Sequence, residues 1–186
     1  SENEGHFLVG CAGGMRVDCE FPAERRRWNG KLVSIHVSGV TGGHSGVEIQ
    51  KQGANANVVL GRVLYELKKK ADFTVVSVDG GLKDNAITRS ARAILMFAPG
   101  QEDLFMDILK EQQGIIEKEY HKTDAGMSIE GFLELSKEDA ESVDGVLPMT
   151  DVCGNAVITA LRTFPWGVQK MSKDMEGLVQ TSLNPG

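Results

Sequence analysis

The sequence predicts an α+β domain in which helices cover one face of an antiparallel sheet. Two observations lead to this fold class. Apolar residues alternate at strand spacing in several segments and recur at helical spacing in two longer ones, and from residue 31 these segments follow the order β-α-β-β-α-β. That order is the split βαβ pattern of a ferredoxin-like core. We expect one domain over residues 1–186: an N-terminal strand extension (1–30), the core (31–136) and a C-terminal extension (137–186).

The N-terminal extension is predicted to be a pair of short strands. Residues 6–11 (HFLVGC) and 15–21 (MRVDCEF) are rich in strand-forming side chains and flank Gly13 and Gly14, which permit a tight turn. The basic run 25–27 that follows is interpreted as a solvated connector, because nothing nearby extends it into a patch.

The first half of the core is predicted as strand, glycine-rich loop and helix. Residues 31–39 alternate polar and apolar side chains, and residues 40–46 (VTGGHSG) form the loop. Residues 55–71 place Val59, Val63 and Leu67 on one helical face and end in a run of lysines that suits a helix C-terminus.

The second half adds two strands, a long helix and a last core strand. Residues 73–78 and 91–98 are the strands, joined through a turn at residues 80–85. Residues 101–121 form the helix and residues 127–135 the final strand.

The C-terminal extension is predicted as a helix followed by a strand. After a linker over residues 144–148, Thr150 is a suitable N-cap for a helix that runs to about Phe164, where residues 165–167 (PWG) stop it. Residues 176–183 then predict a last strand.

Composition excludes several classes of protein. With 41% hydrophobic and 25% charged residues the chain is globular, and a net charge of −6 argues against nucleic-acid or anionic-membrane partners. No apolar run could span a bilayer, and the acidic residues 1–5 do not suit a secretion signal. Cys11, Cys19 and Cys153 lack CxxC spacing and are interpreted as reduced, buried side chains. We expect a cytoplasmic protein, and both ends of the sequence suggest a piece cut from a larger one.

Few residues suit catalysis. HExxH, GxSxG and Walker motifs are absent, so no metal site is expected in these residues. Asp18 and Glu20 near His6 are interpreted as an exposed strand face. His36 and His121 are interpreted as structural.

Two polar residues lie in glycine-rich turns. His44 follows Gly42-Gly43, and it is either a solvent-exposed loop residue or a donor to a developing oxyanion. Asn85 follows Gly80-Gly81, and it either bonds its own backbone or binds a ligand.

Four motifs together resemble a known family. They are GCAGG at residues 10–14, GGHSG at 42–46 with NAN at 55–57, GGLKDNAI at 80–87 and GLVQTSLN at 177–184. In this order the chain resembles the lid, or dimerisation, domain of bacterial aminoacyl-histidine (Xaa-His) dipeptidases, also called peptidase D or cytosol non-specific dipeptidases. These belong to the di-zinc exopeptidases that include carnosinase and aminoacylase.

The resemblance implies a role for the chain and for two residues. His44 matches a lid histidine that reaches the substrate carbonyl, and Asn85 matches a lid asparagine that binds substrate. Two zinc ions and their ligands would belong to a catalytic domain absent from this sequence, so the fragment alone is expected to be inactive. The parent enzyme would hydrolyse dipeptides and form a homodimer.

The sequence departs from the family pattern near Asn85. Thr88 replaces a common proline and Ser90 an expected glutamate. Two other readings stay open: a non-catalytic binding and dimerisation module, and, more remotely, a thiol enzyme that uses Cys11 or Cys19.

Overall fold

The computed structural model describes residues 4–5 and 13–186. The elements follow in chain order: β1 (Lys31–Ser38), β2 (Gly43–His44), a 3-10 turn (Ile49–Lys51), α1 (Ala56–Lys70), β3 (Phe73–Gly80), β4 (Ala86–Ile87), β5 (Ala91–Phe97), α2 (Glu102–Tyr120), β6 (Ser128–Phe132), α3 (Lys137–Ser142), α4 (Asp151–Thr163), β7 (Gly167–Met171) and β8 (Val179–Leu183).

The main sheet confirms the predicted fold class. Its strand order is β3-β5-β1-β6 and all neighbouring strands are antiparallel, which is the ferredoxin-like arrangement. β1 lies inside the sheet, where Ile35 pairs with Ala93 on one side and Gly131 on the other.

One face of this sheet packs on the helices. Val33, Ile35 and Val37 alternate along β1 and are buried against apolar residues of α1 and α2. Both helices lie within one residue of their predicted bounds. The buried Asn55 side chain caps α1 by accepting from the N–H groups at residues 57 and 58.

The other face is partly covered by α3 and its flanking residues, which the sequence did not predict. Val143 packs with Val76 and Ile94 there. Asp139, with its side chain 1% exposed, binds two residues that pair across the sheet: His36 Nε2 lies 2.9 Å and Arg92 Nη1 3.1 Å from its carboxylate oxygens. A buried carboxylate therefore anchors α3 to the sheet.

The C-terminal extension contains the predicted helix and strand and one strand more. Thr150 caps α4, as predicted, by accepting from the Cys153 N–H. α4 packs beside α1 at Gly61, where a Cβ atom would lie 2.6 Å from the Leu161 carbonyl carbon. The predicted last strand is β8, and it pairs with β7, which was not predicted.

The predicted strand over residues 15–21 is wrong. No strand forms there, and Met15 and Val17 are 89% and 68% exposed. Among the described residues no strand pairs with this segment, and its alternating side chains are exposed. Cys19 is exposed for the same reason, contrary to prediction, whereas Cys153 is buried as predicted. The predicted strand over residues 6–11, with Cys11, lies outside the described residues.

The two edges of the main sheet differ. Beyond β3, the N–H of Met149 donates to the Val75 carbonyl at 2.7 Å, and Arg25 Nη1 donates to the Val76 carbonyl at 2.9 Å. Residues 25–27 are exposed, as the prediction of a solvated connector requires, and Arg25 in addition makes a structural contact with the sheet edge. Beyond β6, no further strand is formed by the residues described.

Candidate functional site

The structure brings the two predicted site residues, His44 and Asn85, onto one small ribbon. β2 and β4 form a separate two-stranded sheet in which His44 pairs with Ala86. The N–H of Ser45 donates to the carbonyl of Asn85 at 3.0 Å and extends this pairing. The two glycine-rich turns identified from the sequence are therefore halves of the same structure.

Glu48 holds the His44 loop closed. Its Oε2 accepts the backbone N–H of His44 at 2.8 Å, and its other oxygen accepts from Lys51 Nζ. The hydrogen bond from Lys51, followed by that from the His44 backbone, lowers the pKa of the Glu48 carboxyl below its ordinary value. Gly42 turns the chain into the loop at a φ of +68°, a conformation that favours glycine.

The His44 ring is exposed, and one of its nitrogens is already engaged. The N–H of Gly46 donates to His44 Nδ1 at 3.0 Å. Because Nδ1 accepts this bond, a neutral ring carries its proton on Nε2. The loop therefore leaves Nε2–H as the available donor, which suits an imidazole that polarises a carbonyl oxygen.

Asn85 is exposed at the tip of the neighbouring turn. Its backbone carbonyl accepts from the Ser45 N–H in the ribbon, whereas its side chain lies on an exposed turn where a ligand can reach the amide. The amide thus retains donors and an acceptor for an incoming ligand.

A buried polar network lies behind this turn, and it joins three of the motifs that carried the resemblance. Asn184 Nδ2 donates to the Ala86 carbonyl at 2.9 Å, and Asn55 Nδ2 donates to Asn184 Oδ1 at 3.2 Å. Thr88 is 2% exposed, and its hydroxyl donates to the Pro185 carbonyl at 3.2 Å. The threonine that departs from the family pattern therefore ties the turn to the C-terminal segment by a side-chain bond that proline could not make.

The other candidate groups are not residues of the ribbon, although one cavity is lined both by His36 and Arg92 and by Ala86 and Ile87 of β4. Asp18 is exposed and pairs with Arg16, and His6 lies outside the described residues. His36 and Arg92 line a cavity of about 420 Å³ on the α3 side of the sheet, where both already bind Asp139. His121 Nδ1 lies 2.9 Å from the Lys118 carbonyl at the end of α2.

Within residues 4–5 and 13–186, no three histidine, cysteine or acidic side chains are grouped closely enough to hold a metal ion. None of the helices these residues form is long and apolar enough to cross a bilayer.

The fold and the site together define a class of protein: a ferredoxin-like α+β domain that carries an exposed histidine and an exposed asparagine on a separate two-stranded ribbon. Residues 29–124, more than half of the chain, match the family model of the peptidase dimerisation domain, and the chain belongs to this M20 peptidase dimerisation family. The resemblance stated from the sequence motifs is thereby confirmed.

Two relatives extend the match to nearly the whole chain. The chain is 29% identical over its full length to cytosol non-specific dipeptidase of Escherichia coli (strain K12), of which it covers 37%. The crystal structure of aminoacylhistidine dipeptidase from Vibrio alginolyticus matches 89% of the chain, and 33% of that protein, at 26% identity and a TM-score of 0.80. The chain thus spans about a third of the length of these relatives.

Proposed function

We propose that this chain is the lid and dimerisation domain of a cytoplasmic, zinc-dependent aminoacyl-histidine (Xaa-His) dipeptidase. Its similarity to two dipeptidases over most of its length supports this role. In this proposal residues 1–186 form one domain with the three parts predicted from the sequence, and a flanking catalytic domain completes the enzyme.

The geometry of His44 is the observation that carries the proposal. With Nδ1 bound by the Gly46 N–H at 3.0 Å, the Nε2–H of an exposed ring is free to donate to the oxygen of a scissile carbonyl. That oxygen gains negative charge as a nucleophile attacks, so the bond strengthens toward the transition state. One such donor contributes about 3–4 kcal/mol. Asn85 binds another polar group of the dipeptide.

The described residues do not themselves fit a zinc site, since they offer no cluster of three ligands. We place the two zinc ions in the flanking catalytic domain, and we assign this chain the tasks of binding and polarising substrate. The isolated 186-residue chain is then inactive. Turnover of β-alanyl-histidine by this chain with added zinc would contradict that assignment.

A homodimer is part of the proposal. The edge of the main sheet at β6, which no strand formed by the described residues covers, supports a contact with a second copy because unpaired strand edges favour such pairing. Analytical ultracentrifugation of the chain should show a dimer. A monomer at the highest attainable concentration would contradict this part.

The decisive experiment is His44→Ala in the intact dipeptidase that contains this domain. We expect kcat to fall about 100-fold or more with metal content unchanged, because one oxyanion donor is lost. His121→Ala is the matched control: His121 is exposed, its Nδ1 lies 2.9 Å from the Lys118 carbonyl within α2, and its loss should leave kcat unchanged. A near-normal kcat for His44→Ala would leave a non-catalytic dimerisation module as the better account.

A further inference from the structure

We propose that Asn184 is a positioning residue that fixes the turn carrying Asn85, and that Asn55 holds Asn184 in place. The inference rests on the proposed function, in which Asn85 binds substrate. Asn184 Nδ2 lies 2.9 Å from the Ala86 carbonyl oxygen and 3.4 Å from that of Asp84. One amide group therefore grips the residues on both sides of Asn85, whose own side chain stays available.

The turn needs such a clamp because little apolar burial holds it. Residues 82–85 are all exposed, and Leu82 is 99% exposed. Main-chain bonds also hold the turn: Ala86 N–H donates to the Lys83 carbonyl at 3.2 Å, Ser45 N–H donates to the Asn85 carbonyl, and β4 pairs with β2 where the turn ends. One exposed side-chain bond, from Arg16 Nη1 to Asp84 Oδ2 at 3.2 Å, also reaches the turn. Exposed segments of this kind open readily unless bonds from a stable element restrain them.

Asn55 connects the clamp to such an element. Its side chain is fully buried, and Oδ1 accepts from the N–H groups of Asn57 and Val58 at the start of α1. Nδ2 donates to Asn184 Oδ1 at 3.2 Å and to the Pro185 carbonyl at 3.0 Å. Two donated and two accepted bonds satisfy this amide completely, so a continuous chain of bonds runs from α1 to the carbonyls beside Asn85.

Asn184→Asp tests the clamp with little change of shape. The substitution keeps an oxygen that Asn55 can bond but replaces the donor with a carboxylate oxygen that faces two carbonyl oxygens. Amide hydrogen exchange of the 186-residue chain should become roughly tenfold faster at Ser45 and Ala86, with α1 and β5 unchanged. Exchange at both amides within twofold of wild type would overturn the proposal.

Asn155→Asp is the matched control. Asn155 is exposed on α4, so the same change of charge there should leave exchange in the turn unchanged.

Asn55→Asp tests the second link. It keeps the oxygen that caps α1, and a carboxylate suits a helix N-terminus, but both donors to the C-terminal segment are lost. We expect the same acceleration at Ser45 and Ala86 while the Val58 amide stays protected. Unchanged amide exchange at Ser45 and Ala86 in this variant would overturn the role given to Asn55.

Kinetics of the intact dipeptidase separate positioning from a purely structural role. Because Asn85 is assigned to substrate binding, Asn184→Asp should raise KM roughly five- to tenfold and leave kcat within twofold. Faster exchange with an unchanged KM would overturn the substrate role of Asn85, and with it that part of the proposed function, while the clamp itself would stand. Unchanged exchange would overturn the clamp whatever the kinetics.

Discussion

The sheet-and-helix core and the β2–β4 ribbon are stabilised by different forces. In the core, large side chains such as Phe105 and Leu64 are fully buried, and packing holds the elements together. In the ribbon, each strand has two residues, and apart from the buried Ile87 it depends on bonds from Glu48, Gly46 and Asn184. The core therefore provides the stability of the fold, and the ribbon carries the residues of the proposed chemistry. Mutations in one region should change stability without changing the chemistry, and the reverse should hold for the other.

The largest loss of stability is expected from Phe105→Ala. Phe105 is fully buried, and its ring lies edge-on to that of Phe97 with centroids 5.1 Å apart. The cavity left behind should lower the free energy of unfolding by about 3–5 kcal/mol. Urea denaturation measures this, and a loss below about 1 kcal/mol would show that packing is not what holds the core.

Gly61 in α1 and Gly114 in α2 form a matched pair. Replacing each by alanine should change the free energy of unfolding in opposite directions. Gly61→Ala places a Cβ against the backbone of α4 and should lower the free energy of unfolding by about 1–3 kcal/mol. Gly114→Ala in α2 meets no atom within 4 Å and should raise it by up to about 1 kcal/mol, since alanine favours helix. Thermal or urea unfolding of both variants tests this, and equal effects would contradict the close approach of α1 and α4.

Gly46→Ala should affect the ribbon and spare the core. A Cβ at this position would lie 3.1 Å from His44 Cε1, so the exposed ring must shift. We expect a change in the free energy of unfolding within about 0.5 kcal/mol, but a roughly tenfold loss of kcat in the proposed full-length dipeptidase. Gly14→Ala, in open space, is the control. A large loss of stability would contradict the separation of the two regions.

The smallest effect is expected at the surface pair that joins α1 and α2. Arg62 bonds both oxygens of Glu119, at 3.0 and 2.8 Å, and this hydrogen bonding lowers the pKa of the Glu119 carboxyl below its ordinary 4.5. A lowered pKa in the folded state means that the pair stabilises the fold above the unfolded pKa. That contribution is lost as the pH falls through the folded value.

Arg62→Met tests this pH dependence. The half-exposed pair should contribute only about 0.2–0.5 kcal/mol at neutral pH. Urea unfolding should show that difference at about pH 7 and a smaller one at about pH 3. A difference that grows as the pH falls would contradict the assigned sign.

The sequence predicted the elements that satisfy a periodic pattern. The apolar spacing of Val59, Val63 and Leu67 located α1, and alternation located the four strands of the main sheet. α3 was missed because it is six residues long and depends on Asp139 meeting two side chains of distant strands. Residues 15–21 alternate like a strand but pair with no other strand among the described residues, and alternation alone does not show whether a partner strand is present.

The sequence predicted the two turns of the candidate site but not the side chains that support them. Glycines around His44 and Asn85 marked both turns, and the family resemblance suggested roles for these two residues, which the experiments above would test. Asn184 was not identified as a support because its bond to Ala86 joins distant parts of the sequence. Glu48 lies only four residues from His44, but a single acidic residue after a glycine-rich loop has no pattern that predicts a bond to the backbone. A short strand such as β2 is also too brief to show alternation.

The unequal edges of the main sheet limit how copies can associate. Met149 and Arg25 donate hydrogen bonds to carbonyl groups along β3, so this edge is blocked against the addition of a strand from another molecule. If two copies pair through their β6 edges, each copy has only one open sheet edge. Association then stops at a closed dimer and does not continue into a filament. Two residues outside the strands of the main sheet, Arg25 and Met149, would thus limit edge-to-edge association at β3.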